Sequence, residues 1–344
     1  MNKLFDHNLL IILTALFIIN IFFLYFFSIF GKNIKLVDIP NERKTHIGEI
    51  PLVGGISIYS TFILFFLIVE TNNSHKIIFL SSFIVFFISL YDDKFGLGIT
   101  ERLFFQIISC LVILGFGIRI FDIGEYMNIT ISLGGFGIVL TCLTIIGYMN
   151  AINFSDGLDG LASGYVLNCL ISIIIFSFMN SNYDNLEPLI FLIIVLIGFM
   201  ISNHGLFIPK TFLGDCGSAS MGFLISCYLI YFTMPDNRYF HPVLVLWAAP
   251  MPTFDFLTVF SKRIIEGSNP FKPDRRHIHY LLISSNYPNK LIPITLVIAS
   301  LLCSICGFLI YEFLGSIHSL ILFLFIFCIY FLLSISISSI IKKN

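Results

Sequence analysis

Eleven long apolar runs, separated by short polar breaks, fill residues 8–30, 51–69, 75–91, 102–120, 135–151, 160–179, 188–207, 213–233, 241–261, 291–311 and 315–341. Each is close to or above the roughly 17 residues a helix needs to cross a bilayer, so the pattern predicts eleven transmembrane helices. The first run is too long for the core of a signal peptide and lacks a small-residue cleavage site, so it reads as a retained helix. No internal repeat, linker or composition shift divides the chain. The fold class expected is therefore all-α, a single polytopic membrane domain over residues 1–344.

Composition agrees with the pattern. The 344 residues are 57% hydrophobic and 11% charged and include 40 Phe, and the mean hydropathy is +0.96. An average soluble domain carries about 25% charged residues. A net charge of -1 with no basic stripe gives no sign of a nucleic-acid partner. Eight Cys are scattered mostly through apolar runs. The one close pair, Cys303 and Cys306, lies inside an apolar run and reads as packing.

Charge also sets orientation, because Lys and Arg are retained on the cytoplasmic side. One set of loops and span ends holds 15 of the 19 basic residues, among them Lys32, Lys44, Lys94, Arg102, Lys210, Arg263, Arg276 and Lys343. The other set keeps Lys3, Lys76, Arg119 and Arg238. The N-terminus is thus expected outside and the C-terminus in the cytoplasm. The same division puts five unusual polar motifs on the cytoplasmic face: DIPNERKTH (38–46), YDDKFG (91–96), NAINFSDGLDG (150–160), FLGDCGS (212–218) and PDRRHIH (273–279). The outside loops look like plain connectors.

The motifs carry oxygen and cationic groups. Asp92 and Asp93 end the third run, where neighbouring carboxylates at a helix C-terminus call for a cation, a metal or a shared proton. Asn150, Asn153 and Asp156 step by three, and Asp156 and Asp159 repeat the step, which on a helix aligns them on one face. Glycines at 157, 160 and 164 permit tight turns or close approach to a ligand. Asp215 opens the eighth run, where it suits the N-cap and, without excluding that, can hold Mg²⁺ against a phosphate at the helix N-terminus. Asp255 either faces the same cavity or pairs with a basic neighbour. Arg275, Arg276, His277 and His279 suit a diphosphate, and Arg43, Lys44 and His46 suit an anionic head group at the membrane surface. Hard oxygen ligands favour Mg²⁺ or Mn²⁺ over zinc. A divalent ion with Arg and Lys is the equipment of phosphoryl transfer. Neither a P-loop nor a dinucleotide fingerprint is present. A transporter would place its polar groups near the bilayer midplane, often within repeats, whereas these lie at helix ends.

The ordered set DIPNERKTHIGEIPLVGG, YDDKFGLG, NAINFSDGLDGLASG, FLGDCGSASMG and PFKPDRRHIHYLL, between residues 36 and 283, resembles the polyprenyl-phosphate N-acetylhexosamine-1-phosphate transferases. Within that family it is most similar to the bacterial undecaprenyl-phosphate GlcNAc-1-phosphate transferases. The phospho-MurNAc-pentapeptide translocases are more distant. The resemblance implies ten or eleven helices in the bacterial cytoplasmic membrane, with an active site in a cleft on the cytoplasmic face. It implies UDP-GlcNAc as donor, undecaprenyl phosphate as acceptor, Mg²⁺ or Mn²⁺ as cofactor, and a homodimer as one partner expectation. Another UDP-N-acetylhexosamine is the alternative donor. By the same resemblance Asp215 is a metal ligand with Asn153 or Asp156, while Asp92 and Asp93 engage the lipid phosphate or the metal, Asp92 as a candidate base. Asp159 lies near the uridine and Phe212 near the uracil. His277, His279 and the neighbouring Arg275 and Arg276 hold the diphosphate and sugar, and Lys44, His46 and Asn150 complete the substrate contacts. Relatives often carry a further His where this chain has Tyr280, which takes that position out of the implied sugar contacts.

Overall fold

The computed structural model describes residues 7–40, 48–268, 276–285 and 287–343. Every apolar run of the sequence is helical. The helices of the first half are α1 (His7–Asn33), α2 (Gly54–Ile68), α3 (Asn73–Phe95), α4 (Ile99–Gly115), α5 (Phe136–Ser155), α6 (Leu161–Met179) and α7 (Glu187–Asn203). Then follow α8 (Gly214–Tyr231), α9 (Val243–Ala248), α10 (Pro250–Ile265), α11 (Ile278–Ser284), α12 (Ile292–Leu314) and α13 (Ser316–Lys343). Among the described residues, six helices are long and apolar enough to cross a membrane by length and composition: α1, α3, α5, α6, α12 and the 316–338 part of α13. Two shorter ones, α2 and α7, are apolar as well.

Burial follows the logic of a lipid-facing bundle. In α1 the buried residues Leu9, Leu13, Leu16, Asn20, Leu24, Ser28 and Gly31 recur every three or four positions and face α2 and α7. The opposite side exposes Ile18, Phe22, Phe26 and Phe30. In water such a face is costly, and in hydrocarbon it is not. At the centre stands α8, every residue of which is buried except Asp215. Small residues let its neighbours come close. A Cβ on Gly222 would meet the Tyr148 carbonyl of α5 at 2.6 Å, and a Cβ on Gly55 of α2 would meet the Gly217 backbone at 2.6 Å. Packing of α8 is most extensive against α3 and α5, and all three helices carry site residues near one end.

Two features depart from the apolar pattern. The run 241–261 is two helices, because Ala249 leaves the helical region (φ −143°, ψ 62°) and Pro250 starts a new first turn, where its missing N–H costs nothing. Short ribbons also appear. Antiparallel β1 (Val37–Asp38) and β2 (Ile50–Pro51) lie before α2, and β3 (Asp122–Tyr126) and β4 (Ile129–Ser132) form a hairpin between α4 and α5. At the tip of that hairpin Met127 and Asn128 have φ 51° and 65°, as a tight right-twisted turn requires. Arg238 fastens its base with two hydrogen bonds of 2.8 and 2.7 Å to Asp122.

A cavity at the ends of α3, α4, α5 and α8

Four helix ends meet around a cavity of about 230 Å³ lined by Asp92, Arg102, Gln106, Asn150, Asn153, Phe154 and Asp215, among others. Asp92 lies near the end of α3, and one of its oxygens accepts the Leu97 N–H at 2.6 Å, closing the turn into α4. Arg102, one turn into α4, holds Asp92 through Nη2 at 3.0 Å and Nε at 2.6 Å. The same guanidinium reaches Asp215 at 3.4 Å. Two carboxylates from different helices therefore share one cation. The Asp92 side chain is 4% exposed and that of Asp215 37%. Arg102 thus offsets a buried charge on one side while facing an accessible one on the other.

Asp93, the next residue, turns the other way. Its two oxygens accept the backbone N–H groups of Asp215 and Cys216 at 2.8 and 2.9 Å. These are first-turn amides of α8 with no partner inside their own helix, so Asp93 caps α8 from α3 and fixes where Asp215 stands. Of the two readings of Asp215, the N-cap is corrected here. The helix starts at Gly214, in the left-handed region at φ 75°, and Asp93 supplies the capping oxygens. The Asp215 carboxylate is left for the cavity. There it accepts Asn153 Nδ2 at 3.0 Å, while Asn153 also donates to Ser218 at 2.9 Å.

The spacing of Asn150, Asn153, Asp156 and Asp159 aligns its members only in part. Asn150 and Asn153 share a face of α5, and Asn150 donates to Gln106 at 3.1 Å. The helix ends at Ser155. Asp156 is its exposed C-cap, and Gly160 (φ 80°) turns the chain into α6. Asp159 is carried away from the cavity to an ion pair with Lys210, whose ammonium also lies 5.3 Å from the Phe212 ring. Phe212 is tied to β2: its N–H donates to the Pro51 carbonyl at 2.9 Å, and its own carbonyl accepts the Gly54 N–H at 2.9 Å.

On the far side of Phe154 lies a histidine cluster. The His277 ring is 5.1 Å from Phe154 and stacks 6.0 Å from His279, which contacts Tyr280 at 4.2 Å. Both His are buried. Burial pushes the pKa of His279 down to about 4, against an attraction from Asp255, so its ring is neutral. Tyr280 and His279 close over Gly157, where a Cβ would lie 3.3 and 3.2 Å from them. Asp255, left open by the sequence, pairs with His277 at 2.8 Å. Arg276 pairs with Glu266. Lys44, His46 and Arg275 lie outside the described residues.

Sequence reasoning counted Arg102 and Lys210 only as topology signals and did not single out Gln106, Phe154 or Ser218. Arg102 lies six residues past YDDKFG, which is the signal that was there to be read. As it stands, the cavity presents two carboxylates and three side-chain amides, Gln106, Asn150 and Asn153, beside a guanidinium. That set can hold a hard cation and a phosphate together.

Helices at home in lipid, with polar chemistry gathered where several of them end, make this a membrane enzyme of the phosphate-handling kind. The sequence model of glycosyl transferase family 4 matches residues 75–233, which runs from α3 through α8 and takes in the whole carboxylate cluster. Full-length relatives extend the match. The undecaprenyl-phosphate alpha-N-acetylglucosaminyl 1-phosphate transferase of Escherichia coli O157:H7 is 30% identical over 325 residues, 92% of this chain and 89% of that one. The protein of the same name from Yersinia pestis is 31% identical over 313 residues, 87% and 84% of the two chains. That of Haemophilus influenzae is 29% identical over 282 residues, 80% and 79% of the two. The chain belongs to glycosyl transferase family 4.

Proposed function

We propose that the protein transfers GlcNAc-1-phosphate from UDP-GlcNAc to undecaprenyl phosphate, giving undecaprenyl-diphosphate-GlcNAc and UMP, as the first step of a lipid-linked surface glycan. The observation that carries this reading is the sharing of Arg102 by Asp92 and Asp215 at the mouth of the cavity. Carboxylates so placed select a cation, and a cation so placed selects phosphate. The names of the relatives supply the acceptor and the sugar phosphate.

In this reaction an oxygen of the lipid phosphate attacks the β-phosphorus of the donor. The new P–O bond forms as the bond to the UMP oxygen breaks, and UMP leaves with the electron pair. A lipid phosphate is already ionised near neutral pH, so the step asks for positioning and charge compensation more than for a base. Arg102 would turn from the carboxylates to the phosphate oxygens, and Asn153 would orient Asp215. Asp93 would keep the first turn of α8 in place. His277 and His279 would meet the phospho-sugar, and Asp159 with Lys210 and Phe212 would meet the nucleoside.

Among the described residues no three of His, Cys, Asp or Glu gather as a closed metal cage. Mg²⁺ is commonly held by one or two carboxylates, with phosphate and water completing its shell. Asp92 and Asp215 fit that pattern, and Mg²⁺ or Mn²⁺ bound there would supply charge neutralisation to the diphosphate.

We further read the chain as an eleven-span protein of the bacterial cytoplasmic membrane, with the cavity and the C-terminus on the cytoplasmic side, where UDP-sugars are made. The distribution of 15 of 19 basic residues supports this orientation. The reading is tested by incubating purified protein with undecaprenyl phosphate and a panel of labelled UDP-N-acetylhexosamines. Lipid-linked product and UMP from UDP-GlcNAc support it. Product from UDP-FucNAc or UDP-QuiNAc alone overturns the donor assignment.

A further inference from the structure

Asp255 is a carboxylate placed deep in α10, and 7% of it is exposed. Such a group persists only if its oxygens are fully engaged. Three donors engage it. His277 Nδ1 lies 2.8 Å from Oδ2, and the Ile278 N–H at 2.9 Å and the Tyr330 hydroxyl at 3.1 Å both donate to Oδ1. The donors come from the start of α11 and from α13, so one side chain joins three separate parts of the fold.

The consequence lies on the other side of the imidazole. A carboxylate can only accept, so the Nδ1 that faces Asp255 carries the proton. Nε2 is then the one ring position free for a ligand. It is buried and has no hydrogen-bond partner among the described residues. The ring that bears it lies 5.1 Å from Phe154, which lines the cavity with Asp92, Arg102 and Asp215. A buried polar nitrogen without a partner among the described residues, on a ring separated from the cavity by Phe154, is suited to receive a substrate group, because leaving it unsatisfied costs stability.

We propose that Asp255 is a positioning residue for the transfer reaction. It holds the Nδ1–H of His277, with Tyr330 steadying the carboxylate, so that Nε2 is presented to the phospho-sugar end of the donor. This rests on the functional reading above as far as the donor is concerned, but the tautomer does not. The competing role is purely structural: Asp255 would only dock the start of α11, and any loss of activity would follow from loosened packing.

Two measurements separate these roles. In protein labelled with ¹⁵N-histidine, the His277 resonances are identified among the eight His as those missing from H277Q. Their shifts should show a protonated Nδ1. In D255N, whose amide keeps an oxygen for Ile278 and Tyr330 but turns an NH₂ group toward the ring, the proton should move to Nε2. The second measurement is kcat and KM for UDP-GlcNAc in wild type, D255N, H277Q and the double variant. D255N should lower kcat/KM by about 10- to 100-fold. In the H277Q background the same change should have an effect within about twofold, because the residue acts through His277. An unprotonated Nδ1 in wild type, an unchanged tautomer in D255N, wild-type kcat/KM in D255N, or additive losses in the double variant each overturn the proposal. If wild-type protein does not use UDP-GlcNAc, the donor assignment fails, and the nitrogen shifts still decide the role of Asp255.

Discussion

Asp92, Asp93 and Asp215 have the same side chain and three different duties, and their neighbours assign them. Asp92 is buried against Arg102, Asp93 accepts two backbone amides, and Asp215 faces the cavity with Asn153. Replacing Asp215 by Asn keeps the shape but removes a charge from the cavity in which the proposed reaction places the phosphates. Turnover should fall by at least about 100-fold, with unchanged amounts of protein in the membrane, as measured by product formation and immunoblot together. Residual activity near wild type would remove Asp215 from the site. Asp92→Ala should be inactive and also less stable, since it removes the nearer of the two carboxylates on Arg102 and the acceptor of the Leu97 N–H that closes the turn into α4. His279 offers a test by pH. Its folded pKa of about 4 lies below the ordinary 6.5, so the unfolded chain takes up a proton that the folded chain refuses. Stability linked to this residue is therefore complete above about pH 6.5 and is lost as pH falls toward 4. Across that window, thermal melting of wild type should drop faster than that of H279Q. The carboxylates, the amides and the two His were legible in the sequence as chemistry. Their division of labour was not, because whether a carboxylate caps a helix or faces a cavity depends on what another helix brings up to it. Arg102 shows the same limit, since a basic residue just after a helix end reads as a topology signal whether or not it also pairs with carboxylates of other helices.

At the level of elements, each of the eleven apolar runs contains helix, as expected where lipid offers no water and a long apolar segment must satisfy its backbone hydrogen bonds internally. The break at Ala249 and the two ribbons were invisible to that argument. They depend on a local proline turn and on short-range pairing that apolar content does not report. The site depends on α8 lying close against α2, α3 and α5, and glycines set the distances. In Gly222→Ala the new methyl would meet the Tyr148 carbonyl at 2.6 Å and the Met149 Cα at 2.7 Å, which are backbone atoms that cannot swing aside. Such overpacking should cost about 1–3 kcal/mol, seen as a lower melting temperature in detergent. It should also shift Asn153 and Asp215 relative to each other and so lower kcat. A variant that melts like wild type would contradict the close α5 to α8 packing.

For the whole molecule, the separation of polar motifs from plain connectors gives the protein a working face. The ends of α3, α5, α7, α8 and α10 gather the carboxylates and cations there, and the β3–β4 hairpin lies near the other ends. If that working face is cytoplasmic, green fluorescent protein fused after residue 344 should fluoresce, and alkaline phosphatase fused at the same place should be inactive. The reverse pair of results would invert the topology. In the proposed reaction phosphorus travels with the sugar, which UDP-GlcNAc carrying ³²P in the β-phosphate and ³H in the sugar reads out. Both labels should enter the undecaprenyl-linked product in equal proportion, with release of unlabelled UMP. Tritium in the lipid with the ³²P retained in UDP would show transfer of the sugar alone and would contradict that reaction.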